Sequence, residues 1–170
     1  MTELALQIGE SFIGTGANAA HINTVFGHRE GPAGVAWATA LATPSQGHVP
    51  FVAVLKPSLP TKPITLFVTK AAPASDNHGL MIWGAAQAGV ASGVADAVAE
   101  GFISRSNLDN SCIITAVWVN PDANDADEVY RNNRLATKNA LANGSKNLPS
   151  IEEVLDNRAL PHNPYYTAKE

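Results

Sequence analysis

The stretch from Gly84 to Glu100 constrains the fold more than any other part of the chain. Val90, Val94 and Val98 recur every four residues, a spacing that places all three on one helical face. Around them stand Ala85, Ala86, Ala88, Gly89, Ala91, Ser92, Gly93, Ala95, Ala97 and Ala99, side chains small enough to let another backbone approach closely. Gly101 then supplies the residue at which a helix most readily stops. A helix of this kind is predicted to be a central packing element.

Apolar and β-branched runs bounded by turn residues predict strands near Leu4–Gly9, Ala20–Gly27, Val49–Leu55, Ile64–Thr69 and Ile113–Asn120. A helix is predicted over Pro32–Ala42, with proline in the first turn, where helices tolerate it. Another runs from about Ala126 to Asn143, with Asp125 placed to accept the first backbone N–H groups, Glu128 three residues on, and Gly144 after the end. Pro73–Gly79 and Asn120–Asp127 read as exposed loops. The tail beyond Ser145, with Pro149, Pro161, Pro164, Tyr165 and Tyr166, is expected to pack over a surface or a neighbouring subunit. The order β β α β β α β α lacks strict βαβ alternation. It predicts an α+β fold in which helices are layered on one face of a mixed sheet.

Composition bounds the function. With 170 residues, 45% of them hydrophobic and 15% charged, residues 1–170 are expected to form a single domain with a sizeable core. Eleven Lys plus Arg stand against 15 Asp plus Glu, a net charge of -4, and no basic run occurs. That balance argues against a dedicated nucleic-acid binder or a polybasic membrane anchor. No stretch approaches the roughly 20 apolar residues of a membrane span, and Met1–Glu10 lacks the features of a secretion signal, so a cytoplasmic protein is expected. The single cysteine, Cys112, has no intrachain disulfide partner, which fits a reducing compartment.

Few motifs carry chemistry on their own. Gly14-Thr15-Gly16-Ala17-Asn18-Ala19 matches the glycine-rich dinucleotide fingerprint in form, but a strand follows where a helix is required, so a tight turn is the better reading. The five histidines, His21, His28, His48, His78 and His162, show no helical pairing and no cysteine neighbours, and no metal site is expected. His21 differs from the others because it lies in a predicted strand directly after the polar Gly14–Asn18 loop. There an imidazole either faces a cleft, as an acid working near neutral pH, or satisfies itself by hydrogen bonding at a core or edge. Lys70 at a strand end and Gln87 near a helix start are ordinary by spacing alone.

Several segments together resemble the formaldehyde-activating enzyme family, the 5,6,7,8-tetrahydromethanopterin hydro-lyases, over nearly the whole chain. The similarity is carried by Gly9-Glu10 with Gly14 and Gly16, by Ala20-His21-Ile22, and by Ala53-Val54 through Leu59-Pro60, Lys62-Pro63 and Thr65-Leu66. It continues through Ala86-Gln87, Gly89-Val90-Ala91 and Asp96–Gly101 to Ala136-Thr137-Lys138 and the proline-rich tail.

The resemblance implies condensation of formaldehyde with a reduced pterin, tetrahydromethanopterin as co-substrate, to give the methylene-pterin and water without a metal or prosthetic group. It implies a fold of the ribosomal-protein and GHMP-kinase type and a ring-shaped homopentamer with sites between subunits. The family's proton-donating histidine falls on His21, and its ligand positions fall on Asn23, Val52, Lys70, Ala72 and Gln87. Lys70 and Gln87 are retained. Asn23 stands where aspartate is usual, Val52 where leucine is usual, Ala72 where threonine is usual, and Ala88 where a histidine follows the Ala-Gln pair. Loss of a carboxylate and a hydroxyl also leaves open an alternative, a non-catalytic paralogue that binds or senses a pterin or its formaldehyde adduct.

Overall fold

Alternation along one central strand divides the molecule into a covered face and an open one. In the computed structural model, which describes residues 5–169, the chain runs through β1 (Gln7–Ile13), β2 (Ala20–His28), α1 (Pro32–Ala42), β3 (Phe51–Val52), β4 (Val54–Lys56), β5 (Leu59–Pro60) and β6 (Ile64–Thr69). It continues through α2 (Asp76–Leu80), α3 (Gln87–Ala99), β7 (Ser111–Val119), α4 (Ala126–Ser145), α5 (Ile151–Asp156), β8 (His162–Asn163) and β9 (Tyr166–Thr167). Five strands form one mixed sheet in the order β1-β2-β7-β6-β3, antiparallel except for the β6–β7 pair. In β2, Ala20, Ile22, Thr24 and Phe26 are buried, whereas His21, Asn23 and Val25 project the other way and are only half-buried.

The covered face is closed by α3 and α4. Ile22, Phe67, Val90, Val117, Val129, Ala136 and Ala140 form the main core, and Phe26, Val94, Ala97, Ile103, Ile113 and Leu141 a second cluster beside it. The small residues of α3 do what their size predicts. A Cβ at Gly93 would stand 2.5 Å from the Arg134 carbonyl oxygen, and one at Gly89 2.5 Å from that of Tyr130, so the two helices touch backbone to side. Two ion pairs tie their outer edges: Arg134 grips Asp96 with Nε–Oδ2 at 2.6 Å and Nη2–Oδ1 at 2.9 Å, and Lys138 Nζ lies 3.0 Å from Glu100 Oε1.

Several boundaries differ from the sequence reading, each for a local reason. Leu4, the first residue of the first expected strand, lies outside the described residues. That strand occupies Gln7–Ile13 because the ladder with β2 runs from Gln7↔Phe26 to Ile13↔Ala20, carrying polar Glu10 and Ser11 inside it. The expected strand Val49–Leu55 divides at Ala53, where β3 stays in the main sheet and β4 turns away to pair with β5. Pro73–Gly79 is helical in part. Ser75 Oγ accepts the His78 N–H at 3.1 Å, while the buried His78 ring accepts from Ala74 N–H at 3.0 Å and bonds the Val119 carbonyl at 2.9 Å. These bonds start α2 eight residues before Gly84, and a π-helical turn at Met81–Ala86 joins it to α3.

The layering also needs a correction. The expectation of helices on one face holds for α3 and α4, but α1 packs on the other. Gly27 points away from the Phe26 side of β2, and a Cβ there would meet the Ala33 Cβ of α1 at 2.9 Å. α1 thus covers one end of that face and leaves the other end open. Asp125 caps α4 as expected, accepting the Glu128 N–H at 2.9 Å.

Because Arg134 O is backbone and cannot swing aside, Gly93→Ala should destabilise the protein by about 1–3 kcal/mol, the usual penalty of overpacking. Urea unfolding of the variant beside the wild type measures this, and coincident midpoints would show that α3 and α4 do not meet here.

Candidate active site

Cross-strand partners share a face, so the register of the sheet lists what stands on its open side. Phe12, His21 and Trp118 form one row across β1, β2 and β7, and Glu10, Asn23 and Ala116 form the next. Lys70 leaves the end of β6 with its N–H donating to the Val117 carbonyl at 2.8 Å, which sets it next to Trp118. Above this row the β1–β2 connection turns through Gly14 and Gly16, both at positive φ (86° and 68°) that side-chain-bearing residues rarely adopt. This is the tight turn expected of the Gly14–Ala19 segment, and a strand follows it. The turn is anchored to α4: Asn132 Nδ2 donates to the Asn18 carbonyl at 2.9 Å, and Asn18 Nδ2 to Glu128 Oε2 at 2.8 Å.

These elements enclose a cleft of about 1200 Å³. Its floor holds Glu10, Phe12, His21, Lys70 and Trp118, its rim the 14–17 turn with Asn120 and Asp122, and its far wall His162–Tyr165 of the C-terminal tail. Apart from this wall the tail stands exposed over residues 151–167, so the packing expected of it is not seen within one chain. Tyr165 meets Trp118 edge-on, with centroids 6.3 Å apart at 90°.

His21 is the centre of this arrangement. Its Nε2 lies 3.0 Å from Glu10 Oε1, its ring centroid 5.8 Å from that of Phe12, and its carbonyl accepts from Lys70 Nζ at 3.3 Å. The side chain is 36% exposed and faces the cleft while hydrogen-bonded to Glu10. Burial first, and then the Lys70 ammonium, pull its pKa below the ordinary value, while the charge and hydrogen bond of Glu10 push it back up. Lys70 is shifted further, down to about 8, chiefly because half-burial penalises the ammonium, with Glu10 opposing.

The other expected site residues are dispersed. Asn23 shares the open face one row below His21 but does not line the cleft. Val52 sits on edge strand β3 opposite Leu66. Ala72 is exposed, close to Gly47, where a Cβ would meet the Ala72 Cβ at 2.6 Å. Gln87 belongs to α3, is nearly buried, and uses Oε1 to accept the Val54 N–H at 2.6 Å. None of the last three lines the cleft of a single chain. Conversely, sequence reasoning gave no site role to Phe12 or Trp118, named Glu10 only among the residues that carry the resemblance, and gave Tyr165 only a packing role in the tail. Glu10 and Phe12 alternate with buried Ser11 in a way that becomes legible only once β1 is known to run on to Ile13.

Residues 8–166 match the family model described as formaldehyde-activating enzyme. The chain belongs to the formaldehyde-activating enzyme family. It is 39% identical over 162 residues to a 5,6,7,8-tetrahydromethanopterin hydro-lyase of Methanosarcina barkeri, covering 95% of this chain and 91% of that one. It is 38% identical over 166 residues to a bifunctional enzyme Fae/Hps of Archaeoglobus fulgidus, and 42% identical over 148 residues to one of Methanococcoides burtonii. Those matches cover 98% and 87% of this chain but only 42% and 37% of the bifunctional relatives. Among the described residues, no helix is long and apolar enough to cross a membrane.

The depressed Lys70 pKa has a direct readout. Competitive acetylation across a pH series should titrate the Lys70 amine with a midpoint near 8. A midpoint at the ordinary lysine value would mean that the ammonium is fully solvated and the cleft does not bury it.

Proposed function

We propose that this member of the family condenses formaldehyde with a reduced pterin, tetrahydromethanopterin, to give the methylene-pterin and water. The single observation that carries the reading is the placement of His21, the one histidine on the floor of the large cleft, in a chain whose family and relatives are named for this chemistry.

The chemistry assigns the roles. A pterin nitrogen adds to formaldehyde to form a carbinolamine, and the carbon–oxygen bond of that intermediate breaks slowly when hydroxide must leave. His21 in its imidazolium form gives a proton to the departing oxygen, so that water leaves and the nitrogen lone pair forms the iminium. The second pterin nitrogen then closes on the iminium carbon and releases a proton, and the balance is one water formed. Lys70 presents an N–H donor to the pterin, and Asn23, on the open face one row beyond the cleft lining, offers an amide that can both donate to and accept from the part of the pterin that extends past His21. The lowered His21 pKa makes it a strong acid once protonated but reduces the protonated fraction at neutral pH.

Val52, Ala72 and Gln87 stand outside the cleft of one chain, so in this reading they complete it from a neighbouring copy in a ring-shaped homopentamer. The open sheet face favours such assembly. Ile8 is 65% and Phe12 37% exposed on it, apolar groups that a second copy would remove from water. Sedimentation at micromolar concentration should show a species well above the monomer, and a monomer would rule out shared sites.

Purified protein should accelerate methylene-pterin formation above the spontaneous rate, and His21→Ala should remove about 100-fold or more of that acceleration, the scale of a lost general acid. Saturable pterin binding without acceleration, measured by calorimetry, would instead favour a binding or sensing paralogue, the reading suggested by uncharged Asn23. Neither heat nor acceleration would overturn both.

A further inference from the structure

We propose that Glu10 is a positioning residue of this cleft, orienting the His21 ring from the neighbouring strand and favouring its proton-bearing form. Glu10 faces Asn23 directly across the β1–β2 ladder and reaches diagonally to His21, an offset that long side chains can span. Its Oε1 stands 3.0 Å from His21 Nε2, and it is the one carboxylate paired with His21 among the described residues. Asn23 shares the open face but carries no charge, so β2 itself supplies nothing that favours an imidazolium.

The surroundings make such a partner necessary. The groups facing His21 are Glu10 from β1 and Lys70 from the end of β6, with Asp122 from the loop after β7 and His162 from the C-terminal tail across the same cleft. Lys70, whose Nζ donates to the His21 carbonyl, repels an imidazolium, and burial penalises it further. Glu10 opposes both effects with its charge and its hydrogen bond. The contact also selects the nitrogen. An Nε2–H directed at Glu10 leaves Nδ1 as the atom that exchanges a proton with a bound molecule.

The effect on turnover rests on the reaction proposed above, whereas the effect on the proton does not. The test is therefore a nuclear magnetic resonance titration of the full chain carrying labelled histidine, with the His21 signal assigned from its loss in His21→Ala. Glu10→Gln keeps the shape and the exposed position, so the fold is retained, and Glu10→Asp keeps the charge on a shorter arm. The His21 midpoint should fall in Glu10→Gln and lie between that value and wild type in Glu10→Asp. Methylene-pterin formation by Glu10→Gln should drop about tenfold, the scale of a lost charge-assisted hydrogen bond, and its decline with rising pH should begin at lower pH. Identical midpoints in the three proteins would overturn the proposal, as would a rate loss without a midpoint shift. A midpoint shift between the variants and a wild type that shows no acceleration would sustain the pair and reject the reaction.

Discussion

The close contact between α3 and α4 at Gly89 and Gly93 is the constraint on which the rest of the structure depends. With a backbone carbonyl 2.5 Å from where each Cβ would be, the helices form one thick layer over a single face of the sheet. That layer buries Ile22, Val117 and their neighbours, and by the alternation of strands it dictates that His21 and Trp118 point the other way. The same α4 reaches around the sheet end through Asn132 and Glu128 to hold the Gly14–Asn18 turn above the cleft. The helix pair therefore positions the chemistry without contributing a side chain to the cleft floor.

Electrostatics within the cleft is a contest among three groups. Burial disfavours charge on both His21 and Lys70, the Lys70 ammonium further disfavours charge on His21, and Glu10 is the counterweight to both. With Lys70 titrating near 8, the balance changes over the pH range in which a cell works. Because the His21 pKa lies below its ordinary value, His21 gives up its proton before Lys70 does, and the lysine is still cationic wherever the imidazolium exists. The pair is thus tuned by its neighbours more than by its own chemistry.

The sequence was most informative where one residue type has one physical use. The alanine and glycine series of α3, the Asp125 cap, the Pro32 start of α1 and the Gly14–Gly16 turn could all be read from local chemistry, and the structure shows each in place. Strand limits were harder, because the amphipathic β1 alternates polar and apolar residues and an apolar run marks only its beginning. That error hid the placement of Glu10 and Phe12 on the open face beside His21. The side chosen by α1 was not legible either, since it depends on the close fit of Gly27 to Ala33, a contact between segments whose pattern alone is neutral. Of the expected site residues, His21 and Lys70 meet in the cleft, Asn23 lies one row away, and Val52, Ala72 and Gln87 stand elsewhere in the chain.

A crystal structure of the protein with tetrahydromethanopterin tests the central claim most directly. The account predicts the pterin ring in the open-face cleft, in contact with His21 and Lys70 and flanked by Trp118, with Val52 and Gln87 reaching it from a neighbouring copy. A ring bound anywhere on the helix-covered side, or away from His21, would contradict it.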